Sequence, residues 1–490
     1  MRRTQVKSLL AGMGLSALIF LSCAGTDDVD QAAPNQTTEA PAEVESSAPA
    51  SVSFSADVQP ILEENCVSCH SDNGPGTTHL EMQTAGDVAS IAEFIAFRVE
   101  ERQMPPWPIS PLTQISFEYD LSMSDDERQV IVDWASAGAA LDVDESSVLT
   151  ASNITYSPID ADVVLTANEP YPGSDALDDY RCQVYDPGVT TDTWVTGVDV
   201  RPDETSVLHH AVIFFASSDQ RESADQRDGS DGRPGWTCQT IPRLGPAGLV
   251  SAGAWAPGSN PLVAPEGAGW AMGPGDFLVV QWHYHYDSKA LPDNSGIGLQ
   301  FASDDEVAAA NGILRPVDTE ILLGPVEIPC ATYETGPLCD RNAALARVAR
   351  EFGVESSFIP DFVNAQCGVN AEDFAEMVDG TASSSCDYDP PLGEIINIWP
   401  HMHELGTTYR MTLNPDTPDA TVLVDIDRWS FDWQMSYDPI DPLVFEEGDT
   451  LRVECGWDRS LWPAGLESRY VVWAEGTQDE MCYTSLAILR

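Results

Sequence analysis

Positive charge is what this chain most lacks. Against 79 Asp+Glu there are only 23 Lys+Arg, a formal net charge of −56. A nucleic-acid partner requires a basic stripe that neutralises phosphates, so that class is excluded. Attraction of the folded body to an anionic membrane surface is excluded for the same reason. The acid is spread along the whole chain and reads as a solvated surface. Long apolar runs are also missing: after residues 9–21 nothing is long and apolar enough to cross a bilayer. Histidine is rare, with eight in 490 residues, so its placement is informative. The length suits two to four domains, with cores that need no staples.

The first residues are Met-Arg-Arg-Thr-Gln-Val-Lys, followed by the apolar run and then Ser22-Cys23-Ala24-Gly25. This is a charged start, a short apolar stretch and a small-residue cleavage site. Cys at that point resembles a bacterial lipoprotein signal. The resemblance implies a leader over 1–23 and a lipid on Cys23, the sole membrane attachment, facing the periplasm or cell surface. Residues 24–52 are rich in Ala, Pro, Thr, Glu, Asp and Ser and read as a disordered tether. The other ten of the 11 Cys then sit in an export compartment, where disulfides persist.

Residues 55–66 read as a short helix leading into Cys66-Val67-Ser68-Cys69-His70. C-x-x-C-H is the attachment signature of haem c: two thiols bond the macrocycle and the adjacent His gives an axial nitrogen. A second axial ligand is expected downstream. Val88, Ile91, Ile95 and Val99 recur at helical spacing over 87–103, and the helix then stops at Met104-Pro105-Pro106-Trp107. Met104, held by a rigid Pro-Pro segment, is the favoured thioether donor, with Met82 and His79 as alternatives. Met/His ligation raises the haem potential. Ser124-Asp125-Asp126-Glu127 opens a last helix as a capping box. Residues 53–145 resemble a small cytochrome c domain.

From about 150 the texture changes to short Val/Ile/Tyr/Thr/Trp runs separated by Pro, Gly and Asp turns, the pattern of β-sandwiches. Six of the eight His fall in three pairs: His209-His210, His283-x-His285 and His401-x-His403. In a strand, i and i+2 share a face, so each of the last two pairs can share a metal. His209 and His210 can do so only where the backbone is irregular. Imidazole suits Zn, Cu, Fe and Ni, whereas a thioether selects Cu(I).

Four motifs then carry a resemblance: Leu208-His209-His210-Ala211, Val280-Gln281-Trp282-His283-Tyr284, His401-Met402-His403-Glu404-Leu405-Gly406 and Asp479-Glu480-Met481-Cys482. In this order the chain resembles the copper type II, ascorbate-dependent monooxygenases, the family of peptidylglycine α-hydroxylating monooxygenase and dopamine β-monooxygenase. The resemblance implies an electron-transfer copper on His209, His210 and His283, and a catalytic copper on His401, His403 and Met481. Gln281 matches a position behind the first site. Cys482 is implied to pair with Cys455. His285 either sits behind the ligands or replaces His283. For the remaining Cys the expected pairs are Cys182–Cys238, Cys330–Cys339 and Cys367–Cys386. Where peptide-amidating members carry an Arg and an Asn for substrate, this chain has Trp399 and Tyr483, which suggests an aromatic, less charged pocket.

The expected architecture is a small all-α cytochrome c domain followed by two all-β jelly-roll sandwich domains, over 155–303 and 304–490, with a Cys-rich insertion at 331–390. The coppers would face each other across the cleft between the sandwiches. The expected function is copper-dependent hydroxylation of a C–H bond of a small organic substrate by O2. Electrons would come through the haem from an ascorbate-like reductant or a periplasmic redox protein. Two rivals stand beside it. One is a non-enzymatic copper and haem electron-transfer lipoprotein. The other is a zinc hydrolase using His401, His403 and Glu404.

Overall fold

Strands dominate. The structure is a computed structural model, and it describes residues 52–490 except 72, 73, 75, 78, 79, 153–156, 240, 246–248, 287, 288 and 375–379. The expected leader, Cys23 and almost all of the expected tether lie outside the described residues, as does His79. No helix among the described residues is long and apolar enough to cross a membrane.

A five-stranded antiparallel sheet runs Trp236–Thr237, Asp178–Tyr185, Phe277–His285, Leu208–Ala216, Leu249–Trp255. Its middle strand, FLVVQWHYH, is buried on both faces except at its last residue, as a central strand covered on two sides must be. Leu278, Val280, Trp282 and Tyr284 enter one core with Val198, Ile213 and Ile297, while Phe277 and Val279 enter another beside Cys182, Trp236 and Cys238. Gln281, His283 and His285 share the face of Phe277 and Val279. A four-stranded sheet orders Thr381–Tyr388, Leu451–Asp458, Gly406–Leu413 and Thr421–Ile426. Its strand Thr381–Tyr388 alternates exposed and buried residues, the mark of one wet face.

A nine-stranded sheet spans both halves. Strand Arg315–Leu323 pairs parallel with Ala268–Met272 on one side and antiparallel with Tyr483–Leu489 on the other. Tyr483–Leu489 in turn pairs with Gly393–His401. The five-stranded sheet shares one core with this sheet and the four-stranded sheet shares another, so two sandwiches are joined by continuous backbone pairing.

The expectation of a separate all-α cytochrome c domain ahead of two jelly-roll domains is corrected here. Residues 51–490 form one compact unit, and the nine α-helices of the described residues are short, the longest being Asp125–Ser136. Helical periodicity over 54–136 does build a local core of Phe54, Leu62, Val88, Ile95, Ile131 and Trp134. The segment after it, 105–121, is rich in Pro and Ser and has no helical period. It runs extended along the second sandwich instead. Ser110 N–H donates to Asp425 O (2.7 Å), Gln114 N–H to Val422 O (2.9 Å) and Glu118 N–H to Asp438 O (2.9 Å). Phe117 and Leu121 are buried in the second sandwich's core, and Trp107, Ile109 and Ile115 pack against it. Residues assigned to the helical module thus belong to the β-body.

Smaller differences have local causes. The helix expected over 87–103 breaks at Ile91 into Ala85–Ser90 and Ala92–Glu100. The expected capping box at Ser124 and Glu127 is present, with the two side chains capping reciprocally. In the insertion, two helices form, Arg341–Glu351 and Ile359–Gln366, followed by a short 3-10 turn at Ala371–Phe374. All four disulfides form as expected: Cys182–Cys238, Cys330–Cys339, Cys367–Cys386 and Cys455–Cys482. They are those of a protein that matures in an oxidising, extracytosolic compartment.

Candidate metal centre

The irregularity that His209 and His210 require is present. The register between Leu208–Ala216 and Phe277–His285 steps from Leu208↔Tyr284 to His210↔His283, leaving His209 as the extra residue of a bulge. A bulge re-aims one side chain, and here it turns His209 onto the face of His210. The Nδ1 atoms of His209 and His210 are 3.2 Å apart, and those of His210 and His283 are 3.4 Å apart. A metal holding nitrogens at roughly 2.0 Å spaces them about 3.3–3.5 Å from one another. The three imidazoles thus have the spacing of a metal site, and they form a candidate ligand group.

Hydrogen bonds set the tautomers. His209 Nε2–H donates to Phe431 O (3.2 Å) and His283 Nε2–H donates to Asp178 Oδ1 (3.1 Å), so the Nδ1 lone pairs face the shared point. Phe431 also stacks on His209 at 4.1 Å, and Tyr180 stacks on His283 at 4.2 Å. His285 Nδ1–H donates to the same Asp178 oxygen (2.8 Å). His283 is the residue whose Nδ1 lies near that of His210, while Asp178, His283 and His285 form a second candidate ligand group. Gln281 lies further along the same strand face, its amide donating to Cys238 O (3.2 Å).

The second group uses the opposite nitrogen. His401 Nδ1–H donates to Gln434 Oε1 (2.6 Å), and the Gln434 amide is oriented by its own donation to Phe431 O (2.9 Å). His403 Nδ1–H donates to Asp479 O (3.2 Å). Both lone pairs are then on Nε2, and the rings are 5.1 Å apart. The ladder ends at His401 and Tyr483, and Met481, two residues before Tyr483, is buried. Glu480 holds this corner: its carboxylate accepts from the N–H of His403 (2.9 Å), Leu405 (2.6 Å) and Met481 (3.1 Å) and from Trp457 Nε1 (3.1 Å). Cys455–Cys482 pins the next residue. Trp399 stacks on His401 at 5.0 Å and Tyr483 stands edge-on to it at 6.1 Å, so both aromatics wall the site.

The two groups are adjacent. His210 and His401 meet edge to face with ring centroids 5.2 Å apart. No open cleft separates these two rings, in contrast to the expected facing arrangement. All the imidazoles whose titration departs from the ordinary value are shifted the same way. Burial, then neighbouring imidazoles, holds His209, His210 and His401 well below the usual range, and burial brings His403 down to about 4. Burial also lowers His283, against the pull of Asp178. Neutral imidazoles are the metal-binding form. Burial alone would raise Asp178, but bonds from His283, His285 and Thr477 keep its carboxyl well below the usual range.

At the haem motif, burial pushes the Cys66 thiol up to about 12. His70 Nδ1–H donates to Leu80 O (2.9 Å), which leaves the lone pair on Nε2, the arrangement of a metal-ligating His. Met104 is half-buried on the loop after Ala92–Glu100, its carbonyl accepting from Arg128 Nη1 (3.3 Å). Met82 is packed in the helical core. Cys69 also lines a narrow cleft, together with Trp107, Trp270, Asn397, Met435 and Asp438.

Sequence reasoning missed Asp178, Phe431 and Gln434. Asp178 faces His285 across a ladder whose register the sequence does not display, and Gln434 lies in an irregular loop. Glu480 stood inside a motif but carried no assigned role.

No protein-family model matches the chain, and none of the curated proteins matches it. Among solved structures it is similar to a Paenibacillus xanthan lyase, at 10% identity and a TM-score of 0.17, over 71% of this chain and 28% of the lyase. The chain thus spans less than a third of that protein. It is also similar to an allantoicase, at 9% identity and a TM-score of 0.15, over 58% of this chain and 78% of that one. Likeness at this level carries no argument about fold or function.

Proposed function

We propose that the chain is a copper-dependent monooxygenase that hydroxylates a C–H bond of a small organic substrate with O2. In this reading the first copper is held by His209, His210 and His283 and the second by His401, His403 and Met481. Cys66, Cys69, His70 and Met104 would hold a haem c, which would supply one-electron chemistry between an ascorbate-like reductant or a redox partner protein and the copper pair. The observation that supports it is the convergence of the His209, His210 and His283 imidazoles on one point, with the His401 ring beside that of His210 and Met481 buried on the segment whose Asp479 carbonyl accepts from His403. A thioether donor favours Cu(I) over zinc. When bound, copper supplies the one-electron and O2 chemistry.

The chain's own part is positional. Asp178, Phe431, Gln434 and Asp479 hold protons on the outward ring nitrogens, so the inward nitrogens stay available. Glu480 fixes the backbone around His403 and Met481. Trp399 and Tyr483 wall His401, limit water there and offer an apolar surface to substrate. Cys69 shares its cleft with Met435, whose neighbour Gln434 touches His401, which supports a haem close enough to serve the copper pair. The finer address we propose is a lipid anchor at Cys23, read out by the mass of the mature N-terminus.

The test is metal analysis of the full chain with substrate screening under O2. Two coppers per chain, with O2 uptake coupled to reductant consumption and product, are expected. Met481→Ala is expected to abolish hydroxylation and leave haem reduction intact. Copper uptake with no coupled O2 consumption for any substrate would make the chain an electron carrier, and zinc in place of copper would reject the reading.

A further inference from the structure

Asp178 opens the strand Asp178–Tyr185 and pairs with His285 in the ladder. Its carboxylate serves two sides. Oδ1 accepts from His283 Nε2 (3.1 Å) and from His285 Nδ1 (2.8 Å). Oδ2 accepts from Thr477 N–H (3.2 Å) and Thr477 Oγ1–H (2.7 Å). Thr477 is fully buried and lies four residues before Met481. Two residues on from Asp178 along its strand, the Tyr180 hydroxyl donates to Glu475 O. One carboxylate therefore touches the ring that completes the first imidazole group and the backbone of the segment that carries the second group's thioether.

We infer that Asp178 is a positioning residue of the metal centre: it holds His283 with Nδ1 turned to His209 and His210, and through Thr477 it ties that group to the Glu475–Met481 segment. The inference rests on the copper reading above. The chemistry is that of a carboxylate–histidine–metal relay, in which the outer partner fixes ring orientation and raises ligand basicity. His285 shares Oδ1 with His283, so it limits rotation of the carboxylate and thereby of the ring it holds.

The experiment uses the full chain with Cu(I), competed against a chelator of known affinity, and the EPR spectrum of the Cu(II) form. Asp178→Asn removes the charge at nearly constant volume. It is expected to weaken copper binding at the His209/His210/His283 site by about 10–100-fold and to change its EPR spectrum. Asp178→Glu is expected to recover most of that loss. Wild type that binds copper while Asp178→Asn binds it equally, with the same spectrum, would overturn the inference and leave the functional reading standing. Wild type that takes up no copper would overturn both. A second readout needs no variant: ¹⁵N NMR of the metal-free chain should show His283 protonated on Nε2, and protonation on Nδ1 would contradict the assignment.

Discussion

The two imidazole groups are held in place by different means. His210 and His283 face each other directly across a hydrogen-bonded ladder, with a bulge supplying His209. Backbone pairing sets their separation, and Asp178 then orients the His283 ring. His401 stands at the end of its strand, and His403 and Met481 lie beyond the ladder. That corner is held by a buried carboxylate with four N–H donors, a disulfide, and a loop carbonyl. The difference teaches that the first group is rigid by secondary structure, whereas the second is only as rigid as its supports. Those supports reach into the insertion. Arg347, on the helix Arg341–Glu351, pairs with the fully buried Asp479, whose carbonyl orients His403.

The largest expected break in this comparison is Arg347→Leu. It leaves the Asp479 carboxylate buried with Arg469, at 3.4 Å, as its one remaining ion-pair partner among the described residues. Losing one partner of a buried pair costs roughly 3–5 kcal/mol. Denaturant unfolding should show that loss, and metal titration should show the His401/His403 group weakened with the His209/His210/His283 group unchanged. Equal weakening of both would erase the distinction.

Removing Cys455–Cys482 by a double Cys→Ala change opens a loop with a sequence separation of 27, a stability loss of about 3 kcal/mol. Again the second group should suffer selectively. Thermal unfolding together with metal titration measures both effects.

A pH effect of about the same size sharpens the comparison. Asp438 accepts from Asn397, on the strand that carries His401 (2.6 Å). Burial raises its carboxyl to about 6. The folded state then holds a proton that the unfolded state releases near pH 4. Its stabilising contribution is complete below pH 4 and is lost as pH rises through 6, about 3 kcal/mol in all. Asp438→Asn should remove that slope, as read from urea midpoints between pH 4 and 7.

The smallest effect is a control. Ser124→Ala deletes the cap of Asp125–Ser136 and should cost about 1 kcal/mol. Metal affinity at both groups should be unchanged, because this helix packs on the local helical core.

What the sequence made legible was local or carried by rare residues. Three histidine pairs in a chain with eight His marked the site, and the expected cysteine pairs, one of them implied by the resemblance, match the bridges that form. The bulge at His209 was required by the chemistry before it was visible. The partners that fix the rings were hidden because Asp178 and Gln434 are common residue types, and Asp178 lies 105 positions from His283. The helical module was drawn too independent because residues 105–121 carry no period that reveals their partner. Their hydrogen bonds go to strand Thr421–Ile426 and to Asp438, about 300 positions on.

The central claim is that two adjacent groups each hold a copper ion. The most direct measurement is metal stoichiometry of the full chain after exposure to equal copper and zinc under reducing conditions. The account predicts two coppers per chain, one lost in His283→Ala and the other in Met481→Ala. Retention of zinc in preference to copper, or a copper count that neither variant changes, would contradict it.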